Sequence, residues 1–425
     1  MSKRAFGYAV TALLLVAGLI AAFMTMQAPP ARQPAPPKPV RVYWADSTEL
    51  DMADPAANLV WQQAKRELAG FGVGDKELAN GYAVDLTIDP ETQAKARRIL
   101  DETLAGQPEN LRTALVAVDP KTGRVVAYSG YSTRKPDVDF AASWQNTGGA
   151  FLPFVLVGLL KHKDRPLANH VYDGTSGRRF GSVLITNPPG PDCGRLCPVA
   201  TAMKDDVYTV FADIAFNELG SQAVVNAAVA SGMPDRIGDA GERLDGQLEL
   251  GIALGGGKYV ARPLDMAGAY ATFAAGGVKH IPHLVAKVRN PENNTTVYDD
   301  AASAPPRPAY DTDDKKNFRT ARTVTETLLP AGPPCAGNRP CAGKPGTHTC
   351  AKTEKTGTGD ACATWMVGYT PQISTAVWVG SADSSALKDS AGNPLTGKGM
   401  AGKAWQVFMD DYLTGKPVEQ FPPLS

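Results

Sequence analysis

The sequence has no net charge. Its 425 residues carry 43 Lys and Arg against 43 Asp and Glu, so no global field points to nucleic acid or to any strongly anionic partner. It has no internal repeat, which excludes a solenoid or propeller. Charge is missing altogether between Ala5 and Met26. Cysteine is scarce: there are six, and none precedes Cys193. The last lack is the most specific. "NTGGAFLPFVLVGLL", Asn146 to Leu160, is a polar turn running into an apolar helix, the arrangement by which many enzymes present a nucleophile. From Gly149 to Leu152 it offers no hydroxyl, thiol or amine.

The uncharged run follows Lys3 and Arg4 and, as a helix, spans about 30 Å, enough for a bilayer core. Preceding positive charge favours a cytoplasmic N-terminus. The apolar region is long for a cleaved signal peptide, and its small-residue exit near Ala28 leads straight into Pro29 and Pro30, so residues 1–27 read as an anchor. Residues 28–39 are proline-rich and read as an extended spacer. The bulk of the chain is then extracytoplasmic, and six cysteines there are consistent with disulfides. Their pairing stays open; Cys193 with Cys197 and Cys335 with Cys341 would each close a small loop. Zinc held by Cys335, Cys341, His348 and Cys350 fits no compact zinc spacing. No metal or cofactor is expected.

Beyond the spacer, "VRVYWADSTEL" alternates like a strand and "NLVWQQAKRELAGFG" like an amphipathic helix, a small membrane-proximal element over 40–81. Asp89 and Pro90 cap and start a helix with Ala96, Ile99, Leu100 and Leu104 on one face. "TALVAVDPKTGRVVAYSGY" reads as a β-hairpin turning at Asp119–Gly123. The middle of the chain is helical, and includes a helix begun by Pro263, striped by Met266, Tyr270 and Phe273, and stopped at Gly276–Gly277. "HLVAKVRNPENNTTVYD" returns to strands. After a cysteine-rich loop, "CAKTEKTGTGDACATWMVGYTPQISTAVWVGSAD" predicts two or three antiparallel strands, and a last helix carries Trp405, Phe408 and Tyr412.

In order, the hairpin "VAVDPKTGRVVAYSG", the helix start "GGAFLPF", the helix "DDVYTVFADIAFNELG", then "IALGG…PLDMAGAYATFAAGGV" and "EKTGTGDACATWMVGYTP…TAVWVG" resemble the transpeptidase domain of penicillin-binding proteins, most nearly the bifunctional class A type. The resemblance covers roughly Tyr82 to Leu413. It implies an α/β (α+β) domain over 82–425: an antiparallel sheet flanked by helices, plus an all-helical cluster carrying part of a cleft, as in β-lactamases and transpeptidases. The glycosyltransferase domain that usually precedes it in that class is expected to be missing.

Acyl transfer requires a nucleophile, a base for its proton, donors for the developing oxyanion and a cation for a substrate carboxylate. The family supplies these through S-x-x-K at a helix start, S-x-N, and K-T-G on a strand. At the first motif this chain has Gly149 for the serine and Leu152 for the lysine. Glycine has no atom to attack with, and leucine cannot accept a proton. Thr147 is the nearest hydroxyl, with only Ala150 one turn on. At the second motif it has Asp206-Val207-Tyr208, and no S-x-N triplet occurs anywhere. Asp206 could hold a cation or repel a carboxylate but reads as an ordinary solvated aspartate; Tyr208 is expected to fill cleft volume. The third motif is matched by Lys355-Thr356-Gly357-Thr358, the candidate substrate-binding residues. Lys121-Thr122-Gly123 has the same letters but sits in a hairpin turn. The S-x-x-K strings at Ser132–Lys135 and Ser385–Lys388 open no apolar helix and read as coincidence.

Two functions follow from the resemblance. One is a catalytically silent, membrane-anchored protein of bacterial peptidoglycan biogenesis that binds stem peptides or docks on cell-wall synthesis or division proteins. The other is a working D,D-transpeptidase or carboxypeptidase with an unrecognised nucleophile.

Overall fold

The computed structural model describes residues 38–424 apart from 164, 245–248, 291, 304, 351–359 and 382–384. The expected anchor over 1–27 and almost all of the 28–39 spacer lie outside the described residues. Among the described residues no helix is long and apolar enough to cross a membrane.

Residues 40–425 form one compact unit. Strand β1 (Arg41–Tyr43) and helix α1 (Pro55–Gly70) are not set apart from it: β1 pairs in parallel with β2 (Ala83–Leu86), and Val60, Trp61 and Leu68 of α1 belong to the main core. Helix α2 (Pro90–Leu104) begins as its sequence directs, with the Asp89 carboxylate accepting from the Thr92 N–H at 2.7 Å and Pro90 in the first turn. Strands β3 (Leu111–Val118) and β4 (Val125–Ser129) form the expected hairpin. In its turn the Thr122 hydroxyl donates to Asp119 and Lys121 pairs with Glu419, so Lys121-Thr122-Gly123 is occupied with turn chemistry.

Helix α3 (Leu152–His162) follows a single 3-10 turn, Gly148–Phe151. Helices α4 (Val199–Asp205) and α5 (Tyr208–Asp213) come next, and α5 runs on into a π turn, Ile214–Leu219. Helix α6 (Pro263–Ala274) is buried along its whole length and is closed by Gly276 and Gly277, both with positive φ. Strands β5 (Val285–Asn290) and β6 (Thr295–Asp299) extend the small sheet in the order β1-β2-β5-β6. After α7 (Asp314–Leu328) come β7 (Ala342–Thr349), β8 (Ala361–Thr370), β9 (Ile373–Ser381) and a final helix, α8 (Gly402–Leu413).

The main sheet runs β7-β8-β9-β3-β4, antiparallel throughout. Every residue of β3, β8 and β9 is buried, because both faces are covered. Leu115, Ala117, Met366 and Val377 face α2 and α8, which supply Leu100, Trp405 and Phe408. Ala114, Val116, Trp365 and Trp378 face the helical cluster around α3 and α6. The period of two along each strand thus feeds two separate cores.

One expectation is corrected. The stretch before β8, read as a cysteine-rich loop, contains the edge strand β7, "AGKPGTHT". Gly343, Pro345 and Gly346 suppress any strand-like alternation. The glycines are required by close approach: a Cβ on Gly343 would stand 2.6 Å from Met366 Cε, and one on Gly346 would collide with the carbonyl oxygen of Thr147. The cysteines pair as Cys193–Cys197, Cys335–Cys341 and Cys350–Cys362. The last ties the end of β7 to β8 and consumes the sulfurs beside His348.

Candidate active site

The turn that leads into α3 is fixed from three sides. Thr147 and Gly148 both donate their N–H to the Gly255 carbonyl at 2.9 Å. Trp365 Nε1 on β8 donates to the Asn146 carbonyl at 2.8 Å, and the Asn146 amide donates to the carbonyls of Gly257 and Tyr259. Gly148 has a φ of 54°, and a Cβ there would clash with the Thr347 backbone. The scaffold therefore presents residue 149 in one place, between β7 and the α4–α5 junction.

What surrounds that place is unlike a solvent-filled cleft. A Cβ added to Gly149 would stand 2.7 Å from Asp206 Oδ1, 3.2 Å from the Tyr208 hydroxyl and 3.4 Å from the Pro345 carbonyl oxygen. Three of the four positions that sequence reading sets against the family's first two motifs, Gly149, Asp206 and Tyr208, thus converge. The fourth, Leu152, points into the main core with no exposed surface. A lysine there would bury its ammonium among aliphatic and aromatic side chains.

Asp206 is not the solvated aspartate the sequence suggests. It is the left-handed C-cap of α4, with a φ of 57°, a conformation that Asp tolerates better than most residues. That bend aims its carboxylate at the ammonium of Lys344 on β7, with which it forms an ion pair and hydrogen bond. Lys344 has no exposed side-chain surface, while the Asp206 side chain retains 20%. Burial holds the Lys344 ammonium below the ordinary lysine range, and the Asp206 carboxylate opposes that effect. The Tyr208 hydroxyl lies beside Gly149, 3.2 Å from where a Cβ would stand. Burial, reinforced by the Asp206 charge, pushes its phenol well above the usual tyrosine value. It is therefore a neutral hydroxyl packed against residue 149.

The other candidates are dispersed. Lys355, Thr356, Gly357 and Thr358 lie outside the described residues. The strand beside Gly149 carries Lys344-Pro345-Gly346-Thr347 instead, a K-x-G-T string that sequence reading passed over; its signal was a lysine two residues before a glycine and a threonine. Thr347 Oγ1 accepts from the Gly397 N–H at 3.0 Å. The Thr147 hydroxyl is buried without a hydrogen-bond partner, so no base serves it. The Ser132 hydroxyl accepts from Arg134 N in a loop, and Ser385 bonds the Asn110 amide.

The comparisons agree with this architecture. The family model described as "Penicillin binding protein transpeptidase domain" matches residues 113–398. The chain is 34% identical over 378 residues to penicillin-binding protein 1A of Mycolicibacterium smegmatis, covering 86% of this chain and 46% of that protein. It is equally similar to penicillin-binding protein 1A of Mycobacterium tuberculosis, covering 86% of this chain and 44% of that one. The chain thus spans a little under half the length of these relatives. Among solved structures, penicillin-binding protein PonA1 from Mycobacterium tuberculosis superposes with a TM-score of 0.76 at 33% identity, covering 86% of this chain and 95% of that one. The same protein in complex with penicillin V gives 0.75.

Proposed function

The chain belongs to the penicillin-binding-protein transpeptidase family, and on that premise we propose that it serves peptidoglycan biogenesis without forming an acyl-enzyme, as a stem-peptide-binding or regulatory scaffold. One observation carries the reading. The volume a nucleophile would need at residue 149 is taken by the Asp206 carboxylate and the Tyr208 hydroxyl, and the ammonium at hand, Lys344, is committed to Asp206. Acyl transfer needs a nucleophile and a base in contact; here neither glycine nor leucine can supply one.

The uncharged run from Ala5 to Met26 and the three disulfides support a membrane-anchored protein whose folded part lies outside the cytoplasm. Its partners are then stem peptides, or proteins of cell-wall synthesis or division.

The test is an intact-mass spectrum and a denaturing gel of the full chain after incubation with a fluorescent penicillin. No covalent adduct is expected. A β-lactam adduct on any side chain of the cleft overturns the proposal. The alternative, an active transpeptidase or carboxypeptidase with an unrecognised nucleophile, is favoured by relatives named penicillin-binding protein 1A and by the penicillin V complex of PonA1 from Mycobacterium tuberculosis. On that alternative, digestion of the adduct would locate the nucleophile. Tyr208 is the hydroxyl nearest residue 149, and its raised pKa argues against it.

A further inference from the structure

We propose that a second site, at the far end of α3 from Gly149, docks an acidic, amphipathic segment of a partner protein. From residue 149 to Lys161 the helix axis advances about 18 Å, so this site is separate from the vacated cleft and independent of how that cleft is read. A cavity of about 600 Å³ opens there between the end of α3, the segment after it and the outer face of α7. That is large enough for several side chains of a bound segment.

Its charge is one-sided. Lys161, Lys163, Arg165, Lys316 and Arg319 line it, against the carboxylates of Asp311 and Glu326. Two of these seven are already engaged: Lys163 pairs with Glu218 at 2.9 Å, and Glu326 with Arg322 at 2.7 Å. Arg165 is steadied by donating to His170 Nδ1 at 3.1 Å. Among the described residues Lys161 and Arg319 have no ion-pair partner, Lys316 adds its attraction to the turn hydrogen bonds that lower the nearby Asp313 carboxyl, and all three cations are exposed. Lys316 and Arg319 are three residues apart on α7 and so share one face. In a chain with a formal net charge of zero, such a local excess is a matter of placement, and it attracts anions within a Debye length.

The floor decides the class of anion. Leu160, Leu167 and Leu424 line the cavity as well, with Tyr310 buried alongside. A phosphate polymer gains nothing from an apolar floor, whereas a segment carrying both carboxylates and leucine-like side chains uses floor and rim together.

The experiment uses the full chain in neutral detergent and a short fluorescein-labelled peptide rich in Glu and Leu, with Gln in place of Glu as the control. Anisotropy is read between about 0.01 and about 0.1 M salt, where the Debye length falls from about 30 to about 10 Å. We expect the Glu peptide alone to bind, more weakly as salt rises. Lys316→Glu with Arg319→Glu should reduce affinity at least about tenfold, or 1.4 kcal/mol. Leu167→Ser should also weaken it, with unchanged melting temperature showing that both variants remain folded. Equal binding to the charge-reversed variant, or no preference for Glu over Gln, overturns the proposal. So does inorganic polyphosphate that displaces the peptide and binds Leu167→Ser as well as it binds the unaltered chain, since the site then belongs to an anionic polymer.

Discussion

Replacing Asp206 by alanine strips a buried ammonium of its counter-ion, and the structure sets the size of the effect. Breaking a buried pair by removing one partner costs about 3–5 kcal/mol, because the remaining charge is left uncompensated. Lys344 is wholly enclosed, but the 20% exposure of the Asp206 side chain lets water approach the gap, so the lower end, about 3 kcal/mol, is expected. At about 2–4 °C per kcal/mol for domains of 150–250 residues, that is a fall of roughly 6 °C in a unit of this size. Lys344→Met should cost a similar amount, since it abandons the Asp206 carboxylate, whereas the double variant should approach the unaltered chain. The pH dependence has a definite sign. With the carboxylate gone, burial acts on Lys344 unopposed and lowers its folded pKa further below the ordinary 10.5. Between those two values the unfolded state binds more protons than the folded one, so stability of Asp206→Ala should rise with pH across that window. Denaturant titrations of the four proteins, repeated from neutral pH towards 10, measure both effects. Strict additivity of the two single variants would refute the idea that the pair acts as a unit.

Three further outcomes follow from the geometry. Gly149→Ser with Leu152→Lys should give no penicillin labelling, because the Cβ position lies 2.7 Å from Asp206 Oδ1; adding Asp206→Ser and Tyr208→Asn should allow it, and labelling of the first variant alone would show the pocket to be unobstructed. Glu67, whose carboxylate accepts from the Leu284 and Val285 N–H groups at 2.7 and 3.1 Å, is pushed up to about 7 by burial. Folding then takes up a proton between about 4.5 and 7 and stability declines as pH rises through that window; Glu67→Gln should flatten the decline, read by thermal melts at several pH values. Converting both Cys350 and Cys362 to serine opens a bridge of sequence separation 12 and should cost about 2–3 kcal/mol by chain entropy, measured by denaturation of both forms under non-reducing conditions.

Local rules carried much of the fold. The Asp89–Pro90 cap, the β3–β4 hairpin and the Met266–Tyr270–Phe273 stripe are each written within a dozen or so neighbouring residues, and each stands where sequence reasoning puts it. The apolar helix after Gly149 was equally plain. Strand β7 was not, because three of its eight positions are glycine or proline, misleading as strand formers, and the two glycines are required by close approach to Met366 and Thr147. The site was legible as a set of positions to compare with the family's motifs but not as the contacts among them. Lys344 and Asp206 are 138 residues apart in sequence, and nothing local says that a left-handed cap on α4 will aim one at the other.

The crowding around Gly149 also bears on how this lineage can change. Glycine and serine codons can differ by a single base, yet serine alone at residue 149 would place a hydroxymethyl group against Asp206 and Tyr208, and replacing Asp206 strands the Lys344 charge. A nucleophile at residue 149 therefore demands several coordinated substitutions, and those intermediates that lack Asp206 carry an uncompensated Lys344 charge. The ion pair thus acts as a lock: while it stands, an alcohol at residue 149 is hard to gain one mutation at a time.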